Sequence, residues 1–169
     1  MNKIIGFFIF IFCVYSVFDA LSNSPSEEFT QYQISSVHDG DTMRVRRPEN
    51  EELKVRFACI DAREIGQQGG RSDLNFLISL LQTHDNRVKL QIMGKDRFGR
   101  TIAVVWAGNV LVPLAQVEAG QAFVYHRYKD DCPYYQEIKE AEAIAQKNKV
   151  GLWGEKIEYP WEWRRRNKK

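Results

Sequence analysis

The chain has 169 residues, 44% of them hydrophobic and 27% charged, which is the composition of an ordinary globular protein with room for one domain plus terminal extensions. A formal net charge of +2 is too small to signal a nucleic-acid partner by itself. Arg164 to Lys169 concentrate positive charge at the C-terminus and leave the body slightly acidic, so any attraction to phosphate must be local, at the tail or in a cleft.

At the N-terminus, Lys3 precedes an apolar run from Ile4 to Phe18 that ends at Asp19. The run fits a signal-peptide core and is short for a membrane span. Ala20-Leu21-Ser22 offers small residues at the spacing a signal peptidase reads, which predicts a leader over residues 1–22 and export. An uncleaved anchor is the alternative. Residues 23–30 read as a flexible lead-in, 31–154 as the folded domain and 155–169 as an aromatic and basic tail.

Strand signals follow. Tyr32 to Val37 is short and of mixed polarity. Met43 and Val45 alternate with Thr42, Arg44 and Arg46 as in a half-buried strand. Pro48 to Glu51 is a polar turn leading to a third strand from Leu53 to Ile60. Leu74, Leu77, Ile78 and Leu81 recur at helical spacing, with Ser72 as the expected N-cap. Val88, Leu90 and Ile92 mark a fourth strand and Ile102, Val104 and Trp106 a fifth, joined by a turn over Gly94 to Gly99. Pro113 to Gly120 fits a short helix and Pro133 to Lys149 a longer one stopped by Gly151. The order predicts an α+β protein, a five-stranded closed β-barrel with about three helices.

Of the three cysteines, Cys13 lies in the leader. Export makes a disulfide between Cys59 and Cys132 plausible; a buried Cys59 thiol beside an unpaired Cys132 is the alternative.

Carboxylates at strand ends carry the chemistry. Asp39-Gly40-Asp41-Thr42 joins the first two strands, and Asp61-Ala62-Arg63-Glu64 follows the third. Two such ends can converge on one barrel edge and bind a hard cation through oxygen. Alone, the first segment reads better as a tight turn. Arg56 and Arg100 can meet the charge that develops on phosphoryl oxygens, or can pair structurally with carboxylates.

Taken together, Val37-His38-Asp39-Gly40-Asp41-Thr42, Val55-Arg56 through Asp61-Ala62-x-Glu64, Asp96-Arg97-Phe98-Gly99-Arg100, Val117-x-x-Gly120-x-Ala122 and Gly151-Leu152-Trp153 resemble successive blocks of the staphylococcal nuclease (thermonuclease) family. Pro160-Trp161-Glu162-Trp163-Arg164-Arg165 is similar to the ending of its secreted bacterial members. The resemblance implies an OB-fold and Ca²⁺-dependent hydrolysis of DNA and RNA with little sequence preference, leaving 3′-phosphate ends. It implies Asp41, Asp61 and the Ala62 carbonyl as metal ligands, with Asp39 linked through water. Glu64 matches the general base, and Arg56 and Arg100 match the arginines that stabilise the transition state.

Three departures stand out, one being that the region after Phe123 matches the family less cleanly. Arg63 replaces a common Pro, which predicts a looser Glu64, and Phe98 replaces a Tyr that gives a phosphate contact. Arg97 and Tyr128 are candidate substrate contacts, with Tyr125 the runner-up to Tyr128 and a core role for either equally open. His38, His84 and His126 lack partners at zinc spacing, and the tryptophans read as packing residues. Arg164 to Lys169 could add weak, salt-sensitive contact with polyanions. No obligate protein partner is evident, and the expected state is a monomer. The alternative function is a non-catalytic OB-fold module that binds nucleic acid, followed by a barrel that only scaffolds a partner.

Overall fold

The computed structural model describes residues 30–47 and 51–168. The expected leader, nearly all of the lead-in, most of the turn at Pro48 to Glu51 and Lys169 lie outside these residues. The described residues form eight strands: β1 (Gln31–Val37), β2 (Thr42–Arg46), β3 (Glu52–Phe57), β4 (Ile60–Asp61), β5 (Arg87–Lys95), β6 (Thr101–Ala107), β7 (Val110–Leu111) and β8 (Phe123–Val124). The helices are α1 (Gly70–Gln82), α2 (Val112–Glu118), α3 (Tyr135–Lys147) and α4 (Pro160–Arg166), with single 3₁₀ segments at His126–Asp131 and Gly151–Gly154.

The sheet runs β3-β2-β1-β5-β6-β7, and a parallel β3–β6 pairing joins its ends, so β1, β2, β3, β6 and β5 close a five-stranded barrel. Closure removes the free edges that an open sheet would present. Alternation along β2 sends Met43 and Val45 inward, where they meet Val55, Phe57, Val88, Leu90 and Val104 in one core. The α+β barrel architecture expected from the sequence is thus present.

Three details differ from expectation. The third strand stops at Phe57 because Cys59 adopts a left-handed backbone (φ 73°), and Ile60–Asp61 pair instead with β8. Helix α1 begins at Gly70 behind Gly69 rather than at Ser72, whose hydroxyl donates to Gln121 Oε1 at 3.1 Å. A Cβ on Gly70 would lie 1.9 Å from the Glu64 carbonyl oxygen, so only glycine lets the helix start so close to the preceding loop. Lastly, the basic tail contains a helix, α4, seated on the barrel through Pro160 and an aromatic cluster. Trp161 stacks on Tyr159 with ring centroids 4.5 Å apart, and Phe123 meets Tyr159 at 4.9 Å.

Cys59 and Cys132 form a disulfide that ties the β3–β4 bend to the entry of α3. At the opposite end of α3, Gly120 and Gly151 bring two backbones together: the Leu152 N–H donates to the Gly120 carbonyl at 2.9 Å, and a Cβ on Gly151 would lie 2.4 Å from that same oxygen. Among the described residues, no helix is long and apolar enough to cross a membrane.

Candidate active site

The β1–β2 turn and the segment after β4 meet where Asp41 accepts the Ala62 N–H on Oδ2 at 2.7 Å. The approach is tight. A Cβ on Gly40 would lie 2.6 Å from that of Ala62, so the residue between the two aspartates has no room for a side chain. Gln116 of α2 donates to the Gly40 carbonyl and holds the turn from behind. Asp39 accepts the Asp41 N–H at 3.0 Å, shaping the turn as an Asx cap does.

Arg56 lies opposite Thr42 in the β2–β3 register and joins the two acids. Its Nε is 3.1 Å from Asp41 Oδ1 and its Nη2 2.9 Å from Asp61 Oδ1, while Nη1 donates to the carbonyls of Phe57 and Ile60. One guanidinium therefore spans both carboxylates: three of its N–H groups donate hydrogen bonds, and Nε adds an ion-pair contact to Asp41. Burial raises the Asp41 carboxyl to about 6, reinforced by Asp39 and opposed by Arg56. Burial also raises Asp61, against hydrogen bonding from Arg164 and the charge of Arg56.

Arg164 is the residue that the sequence did not disclose. Its Nη2 donates to Asp61 Oδ2 at 2.6 Å, and its Nη1 reaches Asp61 Oδ1 at 3.1 Å and Glu64 Oε1 at 2.8 Å. The contact spans about a hundred residues of chain, so no local pattern foretells it. Nor is Arg164 free for polyanions, as the tail reading had it. Arg166 also pairs with Glu158.

Arg63 corrects another expectation. Its Nε and Nη2 bind the two oxygens of Asp73 at 2.9 and 2.7 Å, and its backbone N–H adds a third bond at 3.1 Å. Both residues are buried. A bidentate ion pair thus pins the chain next to Glu64 to helix α1, replacing the rigidity expected from a proline. Asp73 had a signal: it lies at i−4 and i−8 from Leu77 and Leu81, a carboxylate on the buried stripe. Glu142 is similar, sharing the inner face of α3 with Ile138 and Ala145 and accepting the Val124 N–H at 2.8 Å.

The structure brings together Asp41, Asp61, Ala62, Arg56 and Glu64. Arg100 is different. It lies just ahead of β6, two residues before Ile102, the partner of Arg56. Its Nε, however, binds Asp96 Oδ2 at 2.7 Å. Phe98 is exposed, with Arg97 4.8 Å and Arg100 5.7 Å from its ring centre. Tyr128 is half exposed and packs edge-on to Tyr125 at 5.2 Å, so it is not a core residue. His38 is exposed and accepts from Arg44.

The chemistry of the donor set suits a hard cation, being all oxygen and partly buried. Among the described residues no three acidic, His or Cys side chains already form a metal cluster. The carboxylates instead face guanidinium groups, which supply the positive charge they require.

A family model described as "Staphylococcal nuclease homologue" matches residues 43–155. An uncharacterized endonuclease of Haemophilus influenzae is 36% identical over 154 residues, covering 90% of this chain and 82% of the relative. A micrococcal nuclease of Shigella flexneri is 32% identical over 146 residues, covering 80% and 81%. A thermonuclease of Staphylococcus hyicus is 28% identical over 128 residues, covering 72% and 75%. With the family model matching residues 43–155 and relatives of 36% and 32% identity covering 90% and 80% of the chain, the chain belongs to the staphylococcal nuclease family.

Proposed function

We propose that the protein is an exported, Ca²⁺-dependent endonuclease that hydrolyses DNA and RNA with little sequence preference and leaves 3′-phosphate ends. The observation that carries this reading is the convergence of Asp41, Asp61 and Glu64 through Arg56 and Arg164, in a chain whose relatives are named nucleases. Asp41, Asp61 and the Ala62 carbonyl would hold the ion, whose hard-oxygen preference these donors meet. When bound, Ca²⁺ polarises a phosphoryl oxygen and helps to ionise the attacking water.

The remaining work belongs to side chains. Glu64 takes the proton of the water as it attacks phosphorus, and the bond to the 5′-oxygen breaks, that oxygen leaving as an alkoxide protonated from solvent and the phosphate staying on the 3′ side. Arg56 has one uncommitted N–H, and Arg100 has two terminal nitrogens beyond its Asp96 contact, for the equatorial oxygens. Arg97 and Tyr128 serve as outer contacts to phosphate and base. Recognition made mostly of phosphate contacts reads little sequence. The Cys59–Cys132 disulfide supports an oxidising destination.

The test is digestion of plasmid DNA and single-stranded RNA by the purified protein in millimolar Ca²⁺ or in EGTA. Cleavage is expected with Ca²⁺ and is lost with EGTA or in Glu64→Gln. A protein inert in Ca²⁺ overturns the enzymatic reading. The near-complete engagement of Arg56 favours a second one, a non-catalytic binding module, which a gel shift without cleavage would select.

A further inference from the structure

We infer that Arg164 is a tethered guanidinium that occupies the cation position of the site, so that the C-terminal helix α4 competes with the metal for Asp61 and Glu64. The inference rests on the Ca²⁺ reading above. Asp61 is fully buried, and both its oxygens are engaged: Oδ2 by Arg164 and Oδ1 by Arg164 and Arg56 together. Glu64 Oε1 is taken by the same guanidinium. A divalent cation bound through Asp61 needs an oxygen lone pair facing it, and a second positive charge at that distance repels it. Three of the lone-pair directions of this carboxylate are filled, two of them by Arg164, so metal and Arg164 compete for it.

The arm that delivers Arg164 is built to stay down without being welded. Pro160 is buried, Trp161 stacks on Tyr159, and the Trp163 ring lies against Gly66, where an added Cβ would come within 3.3 Å of it. Gln67 of the loop after Glu64 donates to the Glu158 carbonyl at 2.6 Å, joining the arm to the same segment that carries the acid. Yet α4 has only seven residues, and its polar side, including Arg165, is exposed. It also lies beyond the residues 43–155 that the family model matches.

When a binding-competent state is a minor one, apparent affinity is reduced by its population. Removing the competing guanidinium should raise Ca²⁺ affinity accordingly. The experiment is calorimetric titration of Ca²⁺ alone, without nucleic acid, into the wild-type protein and into Arg164→Gln. Binding at least about tenfold tighter in the variant is expected. Equal or weaker binding in the variant overturns the inference and leaves the calcium reading standing. Absence of Ca²⁺ binding in both proteins overturns the two together. Should Arg164→Gln fold poorly, hydrogen exchange on the wild type decides. Ca²⁺ is expected to speed exchange of the α4 amides from Trp163 to Asn167, and unchanged protection at saturating Ca²⁺ overturns the proposal.

Discussion

Arg63 and Asp73 show how much one residue pair contributes to the site. Their double hydrogen bond is buried, so truncating the arginine leaves an uncompensated carboxylate inside the protein. Arg63→Ala is expected to cost about 3–5 kcal/mol in urea denaturation and to slow cleavage by freeing Glu64. Asp41 sets a pH dependence. Burial raises its folded value to about 6 against an ordinary 3.8, so the folded state holds the proton that the unfolded state has already lost. That contribution to stability is complete below about pH 4, falls as pH rises toward 6 and is gone above it. Thermal melts of metal-free protein across this range should show the decline, and Asp41→Asn should flatten it. Glu64→Gln is expected to lower kcat by about 10²- to 10⁴-fold, read from initial rates in Ca²⁺. The matched acids were legible in the sequence because they fall at strand ends beside turns, and Arg56 because the block around it resembles the family's. Arg164 was not, since what positions it is tertiary packing of aromatic rings, and a run of basic residues ordinarily lies in solvent.

At the scale of elements, alternation and helical spacing located five long strands and three helices. The boundaries moved where backbone geometry intervened. The left-handed turn at Cys59 splits the third strand and frees β4 to pair with β8, an arrangement that no side-chain pattern encodes. The disulfide had remained open in the sequence because the two cysteines are 73 residues apart, and only folding brings their Cα atoms to 5.2 Å. A crosslink closing a loop of that length stabilises by about 4 kcal/mol in the chain-entropy account. Reduction with dithiothreitol is accordingly expected to lower the melting temperature. Cys59→Ser with Cys132→Ser should melt where the reduced protein does.

Across the whole molecule, the barrel is a rigid frame and the site hangs on its rim, where the β1–β2 turn, the β4 segment and α4 meet. Exposed cations such as Lys54, Arg71, Lys95, Arg127 and Arg165 are spread over the surface, and those proposed to meet phosphate at the site are Arg97 and Arg100 on the β5–β6 turn and the remaining N–H of Arg56. About three phosphate contacts give a log affinity against log salt slope of about −2 to −3, shallow for a nucleic-acid binder. Filter binding of Glu64→Gln over a salt series measures it, and a much steeper slope would mean that the tail also engages the substrate.

The glycines at 120 and 151 bear on this architecture in a further way. Where two main chains touch with no side chain between them, even one methyl group acts as a wedge. A Cβ at residue 151 would strike the carbonyl of residue 120, and the left-handed backbone there (φ 53°) is unfavourable for alanine as well. Gly151→Ala should therefore prise everything downstream away from the barrel while leaving the barrel itself intact. Trypsin would then clip the arginine-rich terminus early and spare the rest, a cleavage ladder visible on a gel.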